Sequence, residues 1–303
     1  MSAEPATHTL ELSDVTLRYD VRGDLEDAGP DSPPLMLIGS PMDAAGFVSL
    51  AGHFADRVVV TYDPRGTGRS TLTGSAAADA AKGVAEWSPD DHAEDLRRVI
   101  EALGTGPVDL FASSGGAVNA LALIARHPGL VRIAVAHEPP LARTVPDSAQ
   151  ALAAVEDIHA TYRREGMGPA MAKFIALSIQ QGPLPDTYAE QPAPDPAAFG
   201  LPVEDDGTRD DPLLSQNIRG CCCYAPDFAA LSAASTRLVV AAGKESEGEL
   251  AARAGAAVAE RLGLPLAVFP SHHGGFLGGE YGQQGEPEAF AARLREVLAE
   301  HAD

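Results

Sequence analysis

One stretch of this chain joins an apolar strand to an apolar helix through a turn built only from small residues. The strand pattern begins at Val108, the turn reads Ala112-Ser113-Ser114-Gly115-Gly116, and the Ala/Leu-rich helix continues past Ile124. A serine at the centre of such a turn is held outward on a strained backbone, with its hydroxyl exposed and a helix N-terminus behind it. The stretch therefore predicts Ser114 as a nucleophile. An ordinary Gly/Ser loop that only caps a helix is the alternative.

Strand and helix patterns alternate along most of the chain. Short continuous apolar runs, such as Leu35–Ile38 and residues 57–62, are typical of buried parallel strands. A helix is predicted over Pro89–Leu103, with Ser88 as its N-cap. This alternation predicts an α/β fold with a mostly parallel, doubly wound sheet and helices on both faces. The chain begins with alternating apolar and polar residues, which favour an antiparallel hairpin at the sheet edge.

One region, residues 141–235, interrupts this alternation. Helical patterns over residues 148–165 and 168–181 are followed by stretches rich in proline and aspartate, such as Gln191-Pro-Ala-Pro-Asp-Pro. We expect this region to form a lid over the carboxyl edge of the sheet, inserted after the sixth strand. The predicted organisation is a core in two parts, residues 1–140 and 236–303, with the lid between them.

Composition narrows the classes of partner. The net charge of −21 and the pI near 4.7 argue against nucleic acid and anionic membranes. No apolar run approaches the ~20 residues of a membrane span, and the N-terminus lacks the pattern of a signal peptide. We expect a cytoplasmic protein that acts on a small molecule, and a homodimer is left open. Few lysines and many Ala, Asp and Pro residues indicate a GC-rich bacterial genome.

The sequence predicts neither a cofactor nor a metal ion. No phosphate-binding loop or dinucleotide fingerprint is present. The three cysteines are consecutive, Cys221-Cys222-Cys223, so they match neither a disulfide framework nor a Cys-x-x-Cys metal site. We expect them to be buried small side chains, with a place in the wall of a lid pocket as the alternative.

A serine hydroxyl is a poor nucleophile unless a base takes its proton and an acid orients that base. The candidate bases lie in Phe269-Pro-Ser-His-His-Gly-Gly-Phe, directly after the last predicted strand. There the carboxyl edge of the sheet can present an imidazole to Ser114. We favour His273, which directly precedes the Gly-Gly-Phe run. His272 is the alternative, and two surface histidines without a catalytic role are the third interpretation.

The order of strand, serine turn, long insertion, strand and His-Gly-Gly-Phe resembles the α/β-hydrolase superfamily over nearly the whole chain. Tyr62-Asp-Pro-Arg-Gly-Thr-Gly-Arg-Ser is similar to the D-x-R-G-x-G-x-S segment that follows the fourth strand of that superfamily. We expect residues 63–70 to shape the site without touching substrate. The serine turn is similar to G-x-S-x-G, with Ala112 in place of the first glycine.

The resemblance also implies an oxyanion hole. Leu37-Ile-Gly-Ser-Pro-Met looks like the loop after the third strand that donates one amide to the oxyanion. Most relatives read His-Gly there, whereas this chain reads Gly39-Ser40. Because Pro41 has no amide hydrogen, we expect the N–H of Met42 to be this donor. The second donor is the N–H of Gly115, directly after the nucleophile.

The acid departs from the usual pattern of the superfamily. Most relatives place an Asp shortly after the strand that follows the lid, but this chain reads Gly243-Lys-Glu-Ser-Glu, with Ser246 at the expected position. Serine cannot stabilise an imidazolium as a carboxylate does. Glu138 follows the strand after the nucleophile helix, where haloalkane dehalogenase-like relatives keep their acid, and two prolines hold it extended. We predict Glu138 as the acid. Glu245 is the alternative, and a different residue or none is the third.

The resemblance implies a cofactor-independent serine hydrolase that acts on an ester, thioester or lactone through Ser114, His273 and Glu138. The fold does not fix the reaction, since the same scaffold hosts lyases and cyclases of natural-product pathways. A non-catalytic ligand-binding protein is a further alternative. A serine at the nucleophile position argues against haloalkane dehalogenase and epoxide hydrolase chemistry, which use an aspartate there.

Overall fold

In the computed structural model, which describes residues 4–81 and 87–300, nine strands form one sheet. The strands are β1 (Ala6–Glu11), β2 (Val15–Arg22), β3 (Leu35–Ile38), β4 (Val59–Asp63), β5 (Thr71–Leu72), β6 (Val108–Ser113), β7 (Val131–His137), β8 (Arg237–Gly243) and β9 (Leu266–Phe269). Their order across the sheet is β1-β2-β4-β3-β6-β7-β8-β9, with β5 beside β2. The pairs that include β2 are antiparallel and the others are parallel. The predicted mostly parallel sheet with an edge hairpin is confirmed.

Helices cover both faces of this sheet. They are α1 (Val48–Gly52), α2 (Gly74–Ala81), α3 (Pro89–Leu103), α4 (Gly115–Arg126), α5 (Ser148–Glu165), α6 (Met167–Ser178), α7 (Ile218–Cys222), α8 (Phe228–Ala233), α9 (Leu250–Leu262) and α10 (Pro287–Ala299). Buried side chains of α3, α4 and α9 form one core, and those of α1 and α10 form the other. The predicted doubly wound arrangement is therefore confirmed. Across residues 4–81 and 87–300, no helix combines the length and apolar character needed to cross a membrane.

Strand β6 lies between the two cores and carries side chains into both. Leu110 belongs to the core of α3 and α4, whereas Phe111 packs in the opposite core against Phe276 and Phe290, with ring centroids 5.6 and 5.4 Å away. Successive side chains of a strand point to opposite faces, and all six residues of β6 are buried, so the strand lies between two covered layers. Full burial of each such side chain contributes about 1.5–3 kcal/mol. The strand that leads to Ser114 is thus held on both faces.

Residues 138–236 connect β7 to β8, and we call them the connecting segment. Asp147, at the start of α5, accepts a hydrogen bond from the N–H of Leu184 at 2.8 Å and forms an ion pair with Arg253 of α9. Arg253 also donates to the carbonyl of Gly182 at 2.8 Å. These contacts fasten the connecting segment to the sheet-covering helix α9. Its role as a lid stays a prediction, as do the three predicted domain boundaries. Residues 1–3 and 301–303, at the outer ends of the two predicted core parts, lie outside the described residues.

Several short elements were not predicted from the sequence. Strand β5 has two residues, α7 has five and α8 has six, so none repeats an apolar position often enough to give a period. Because β5 adds a strand, the insertion follows the seventh strand along the chain and not the sixth as predicted. Before β4, a 3₁₀ turn over Ala44–Phe47 continues into α1.

A buried ion pair joins the segment after β4 to α3. Arg65 donates from Nε and Nη2 to the two carboxylate oxygens of Asp95, each at 2.7 Å, and both side chains are buried. A third nitrogen of Arg65 donates to Asp14 at 3.0 Å, and its guanidinium lies 4.9 Å from the ring centroid of Trp87. The pair ties Arg65 to α3, and the guanidinium gives Trp87 a packing contact. That residues 63–70 shape the site without touching substrate stays a prediction.

We expect Asp95→Ala to lower the free energy of unfolding by about 3–5 kcal/mol, because it leaves a buried guanidinium without its main partner. Urea unfolding followed by circular dichroism measures this change. Glu94→Ala is the matched control in the same helix turn. Glu94 is partly exposed and pairs at the surface, so its loss should cost less than about 1 kcal/mol. Equal losses for the two variants would contradict the prediction.

Candidate active site

The carboxyl ends of β6, β7, β8 and β9 lie side by side at one edge of the sheet. Ser113 of β6 is paired with His137 of β7, so Ser114 and Glu138 both follow directly from paired residues. Strand β8 pairs in turn with β9, and the loop after β9 carries His273. Neighbouring parallel strands present their following loops at the same edge, where α/β sheets bind ligands. The fold therefore places the loops that carry these three residues at the same edge of the sheet.

Ser114 occupies a strained turn between β6 and α4. Its φ is 56° and its ψ is −127°, and its N–H donates to the carbonyl of His137 at 2.9 Å. Gly116 must lack a side chain, since a Cβ there would lie 2.8 Å from the carbonyl oxygen of Ile38 and from Cα of Gly39. The small-residue turn thus permits a close approach of strand, helix and neighbouring loop. Within the described residues the Ser114 hydroxyl makes no hydrogen bond, and the residue is partly exposed.

Glu138 is fully buried and contacts His273. One carboxylate oxygen, Oε2, is hydrogen-bonded to Nδ1 of His273, and the other, Oε1, accepts from the N–H of Gly243 at 2.7 Å. Glu245, in contrast, is exposed, and its backbone N–H donates to the carbonyl of Ser271 at 2.9 Å. Of the two candidate acids, the structure brings Glu138 to the imidazole and leaves Glu245 outside.

The two candidate histidines have different surroundings. His272 is held by the backbone, since its Nδ1 accepts from the N–H of Gly274 at 3.0 Å and its Nε2 lies 3.1 Å from the carbonyl oxygen of Gln284. His273 contacts only Glu138 by hydrogen bonding in the part of the chain that the structure describes, and its Nε2 is unbonded there. Of these two histidines, His273 alone combines a carboxylate partner with a free ring nitrogen.

The electrostatics of this pair favour ionised Glu138 at neutral pH. Burial raises the pKa of the Glu138 carboxyl, but the His273 hydrogen bond, two nearby imidazoles and the Gly243 N–H outweigh burial and lower the pKa to about 2. Burial lowers the pKa of the His273 imidazole, and the hydrogen bond and charge of Glu138 raise it above its ordinary value. A carboxylate that stays ionised and an imidazole of raised basicity form a pair that can accept a proton at Nε2.

A second imidazole, that of His137, lies beneath this pair. It is fully buried among aromatic rings, with the centroid of Phe290 at 5.3 Å and that of His273 at 6.1 Å. Burial lowers its pKa to about 4, so it is neutral at pH 7. Sequence reasoning did not single out His137, although it directly precedes Glu138. The His137 ring thus packs next to the His273 ring and supports it.

Backbone strain is concentrated around these residues. Four non-glycine residues in residues 4–81 and 87–300 have a positive φ, namely Ser114, Glu138, Ser271 and Tyr281. Ser114 lies in the turn between β6 and α4, which we call the elbow, Glu138 lies at the end of β7, and Ser271 lies just before His273. With a φ of 48°, Glu138 is not extended as the two prolines after it predicted, because the sheet edge and its two carboxylate contacts fix its backbone. Each such conformation costs about 1–3 kcal/mol, and it persists where surrounding contacts determine it. Strain of this kind is typical of functional sites.

The two segments with the predicted oxyanion donors touch each other. A Cβ on Gly115 would lie 2.4 Å from the carbonyl oxygen of Ser40, so the loop after β3 packs directly on the elbow. This loop curls tightly, since a Cβ on Gly39 would lie 2.6 Å from Cβ of Met42. At its far end the N–H of Ala44 donates to Asp63 at 3.1 Å. The donor roles of the Met42 and Gly115 amides remain predictions.

Two residues that the sequence interpretation did not assign to the site reach the elbow from the connecting segment. Nδ2 of Asn217 donates to Oγ of Ser40 at 3.0 Å, and Sγ of Cys221 donates to Oδ1 of Asn217 at 3.0 Å. Both side chains are buried, as predicted for Cys221. Their spacing of four residues, one helical turn, was the only feature of the sequence that could have indicated that they act together.

No group of three or more His, Cys, Asp or Glu side chains in the described ranges could hold a metal ion.

Helix α7 separates this elbow from a cavity of about 720 Å³. The cavity is lined by Trp87, Gln216, Gly220, Cys223 and Tyr224, among others, and neither Ser114 nor His273 lines it. One face of α7 and its preceding turn thus contacts the elbow, and the other face lines the cavity. Cys223 lies in the cavity wall, which is the alternative that the sequence left open for the cysteines.

Two comparisons point to the same family. A family model described as the alpha/beta hydrolase fold matches residues 35–175. A protein of Bacillus subtilis (strain 168), named as the uncharacterized hydrolase YraK, is 28% identical over 277 residues, which are 88% of this chain and 89% of that protein. Both matches support the α/β-hydrolase superfamily.

Solved α/β-hydrolase structures share the fold over almost the full length. The enzyme MGS-M2, an α/β hydrolase from a Medee basin deep-sea metagenome library, is 16% identical with a TM-score of 0.66, covering 96% of this chain and 97% of that one. A thermophilic esterase from Thermogutta terrifontis is 20% identical with a TM-score of 0.61, covering 98% and 99%. These two likenesses show the α/β-hydrolase fold.

Replacement of Glu138 by glutamine should lower the pKa of the His273 imidazole, because burial then opposes protonation without an adjacent carboxylate. NMR titration of the histidine ring protons measures this pKa, with the His273 signal identified from its loss in His273→Asn. Glu245→Gln is the control and should leave the titration unchanged. Identical His273 titrations in wild type and Glu138→Gln would contradict the prediction.

Proposed function

We propose that the protein is a cofactor-independent serine hydrolase that cleaves a small-molecule ester, thioester or lactone in the cytoplasm. The observation that carries the proposal is the buried Glu138 carboxylate on Nδ1 of His273, beside the strained Ser114 elbow. Nucleophile, base and acid then come from the ends of neighbouring strands. A Ser-His-acid triad is recognised by such roles and geometry and not by the spacing of its residues along the chain.

In the proposed reaction, Nε2 of His273 takes the proton of the Ser114 hydroxyl as Oγ attacks the carbonyl carbon. Glu138 holds Nδ1 and stabilises the imidazolium that forms. The tetrahedral oxyanion accepts hydrogen bonds from the amides of Met42 and Gly115, and loss of one such donor typically costs about 3–4 kcal/mol of transition-state stabilisation. His273 returns the proton to the leaving alcohol or thiol. A water molecule activated by the same imidazole then hydrolyses the acyl-enzyme.

The connecting segment is proposed as the lid. Three features support this role: its position after β7 at the carboxyl edge, the contacts of Asn217 and Cys221 with the elbow, and its anchorage to α9 through Asp147. An ester substrate is consistent with the similarity to the T. terrifontis protein, which is named as a thermophilic esterase. The large negative charge of the protein disfavours anionic substrates approaching from a distance.

A fluorophosphonate probe tests the nucleophile directly. We expect covalent labelling at Ser114, located by mass mapping, and turnover of p-nitrophenyl acetate or butyrate by the same protein. Ser114→Ala should lose both, with a loss of about 10⁶ in rate, because the hydroxyl is the attacking group. Labelling at Ser114 without turnover of any ester, thioester or lactone would favour the lyase or cyclase alternative. Absence of labelling would favour a binding protein.

Kinetics of single variants test the base and the acid. His273→Ala should be about as damaging as Ser114→Ala, because members of a triad act as a unit. Glu138→Gln should lower kcat by about 10⁴, since an amide neither orients the same tautomer nor stabilises imidazolium.

The neighbouring residues serve as matched controls for these variants. His272→Ala and Glu245→Gln should each cost less than about tenfold in kcat, because neither side chain belongs to the pair. A larger loss for either control than for its partner in the triad would show that the wrong residue has been assigned.

A further inference from the structure

Asn217 lies between the two segments that carry the proposed oxyanion donors. Its amide contacts Oγ of Ser40, two residues before Met42, through Nδ2 at 3.0 Å and Oδ1 at 3.2 Å. On the other side, a Cβ added to Gly115 would lie 3.0 Å from Oδ1 of Asn217. The side chain thus touches both halves of the proposed oxyanion hole.

The contact is buried and belongs to a small hydrogen-bond network. Ser40 and Asn217 are 5% and 8% exposed, and the thiol of Cys221 donates to Oδ1 of Asn217 at 3.0 Å. The same thiol lies 3.8 Å from the carbonyl oxygen of Gly115. A buried polar group that loses its partner costs the full price of desolvation, so this small network resists rearrangement.

The backbone that carries Asn217 is itself fixed. Asn217 ends a π-helical turn, Leu213–Asn217, that leads into α7, and such turns occur often at functional sites. Asp211 holds this turn by accepting from the N–H of Leu214 at 2.9 Å, and the carbonyl of Leu214 lies 3.0 Å from Nδ1 of His159 in α5. The side chain of Leu214 is fully buried. Asn217 therefore projects from an anchored part of the connecting segment.

We propose that Asn217 is a positioning residue that holds the Ser40–Met42 loop against the elbow, so that the connecting segment completes the oxyanion hole. This inference rests on the proposed hydrolase function. Asn217 acts through Ser40 on the place of the Met42 amide and does not itself donate to the oxyanion. Its loss should therefore weaken binding of the transition state while leaving binding of the substrate nearly unchanged.

The test compares kcat and KM of Asn217→Ala with wild type on p-nitrophenyl butyrate. We expect kcat to fall about 10-fold, less than the 10²–10³ typical of losing a donor outright, while KM stays within about twofold. A boronic acid that forms a tetrahedral adduct on Ser114 provides a second readout. Its inhibition constant should rise by the same factor as kcat falls, since the adduct oxygen occupies the oxyanion hole.

Matched variants separate positioning from general damage. Gln216→Ala removes an amide from the preceding residue, on the face that lines the cavity, and should leave kcat unchanged. Ser40→Ala should reproduce the loss in kcat without altering the connecting segment. The double variant Ser40→Ala/Asn217→Ala should be no worse than either single variant, because both remove one contact. Ser40→Ala keeps the test decisive if Asn217→Ala does not fold, as judged by thermal melting.

The outcomes distinguish this inference from the proposed function. Wild-type turnover that depends on Ser114 but is unaffected by Asn217→Ala and Ser40→Ala would overturn the positioning role alone. A rise in KM with unchanged kcat and an unchanged boronic acid inhibition constant would also overturn it, because it would place Asn217 in substrate binding. Absence of Ser114-dependent turnover in the wild type would overturn both proposals.

Discussion

The carboxylate of Glu138 is fully buried, and its two oxygens are held by the N–H of Gly243 and the imidazole of His273. A charge in the interior is tolerated only when partners satisfy it, so the ends of β7 and β8 and the loop after β9 must meet around this one group. The sheet register supplies that meeting, since these strands are neighbours. Fold and site thus depend on the same contact: without the sheet the carboxylate lacks partners, and without the partners this edge of the sheet buries an unpaired charge.

The rest of the site is built around this pair by close packing at glycines and by strained turns. Gly115 and Gly116 let the loop after β3 reach the elbow, and the positive φ of Ser114 turns its hydroxyl outward. Asn217, in the connecting segment, then contacts the loop after β3 through its hydrogen bond with Ser40. The site therefore consists of segments that are far apart in the chain, and each contact restricts the positions that the next segment can take.

The elements that could be predicted from the sequence are those with a repeating apolar pattern or with residues that mark the ends of a helix or strand. Pro89–Leu103 has a capping box at Ser88 and a left-handed Gly104 at its end, and its bounds match the prediction. Strand Leu35–Ile38 is a short apolar run that follows two prolines, and its bounds match as well. At the site, the Glu138–His273 contact was anticipated because both residues follow predicted strands.

What could not be predicted depends on tertiary contacts between segments without a pattern of their own. Helix α7 is too short to show a period, and Asn217 is one of many polar residues in a region without a repeating pattern. Its partner, Ser40, lies 177 residues away in the chain, and no local rule connects the two. The same is true of His137, whose burial among aromatic rings arises only once the sheet has formed.

The location of the acid on β7 has a consequence for variation in chain length. Ser114 and Glu138 directly follow two strands that pair with each other, and both precede residues 141–235, so their separation does not depend on how long or how ordered that region is. Only the imidazole arrives from beyond it. Insertions and deletions within residues 141–235 alter the length of chain over which β8 and β9 must return to the sheet, an entropic cost that grows only logarithmically with loop length. The architecture thus separates the part of the chain that can change in length from the spacing between the nucleophile and its acid.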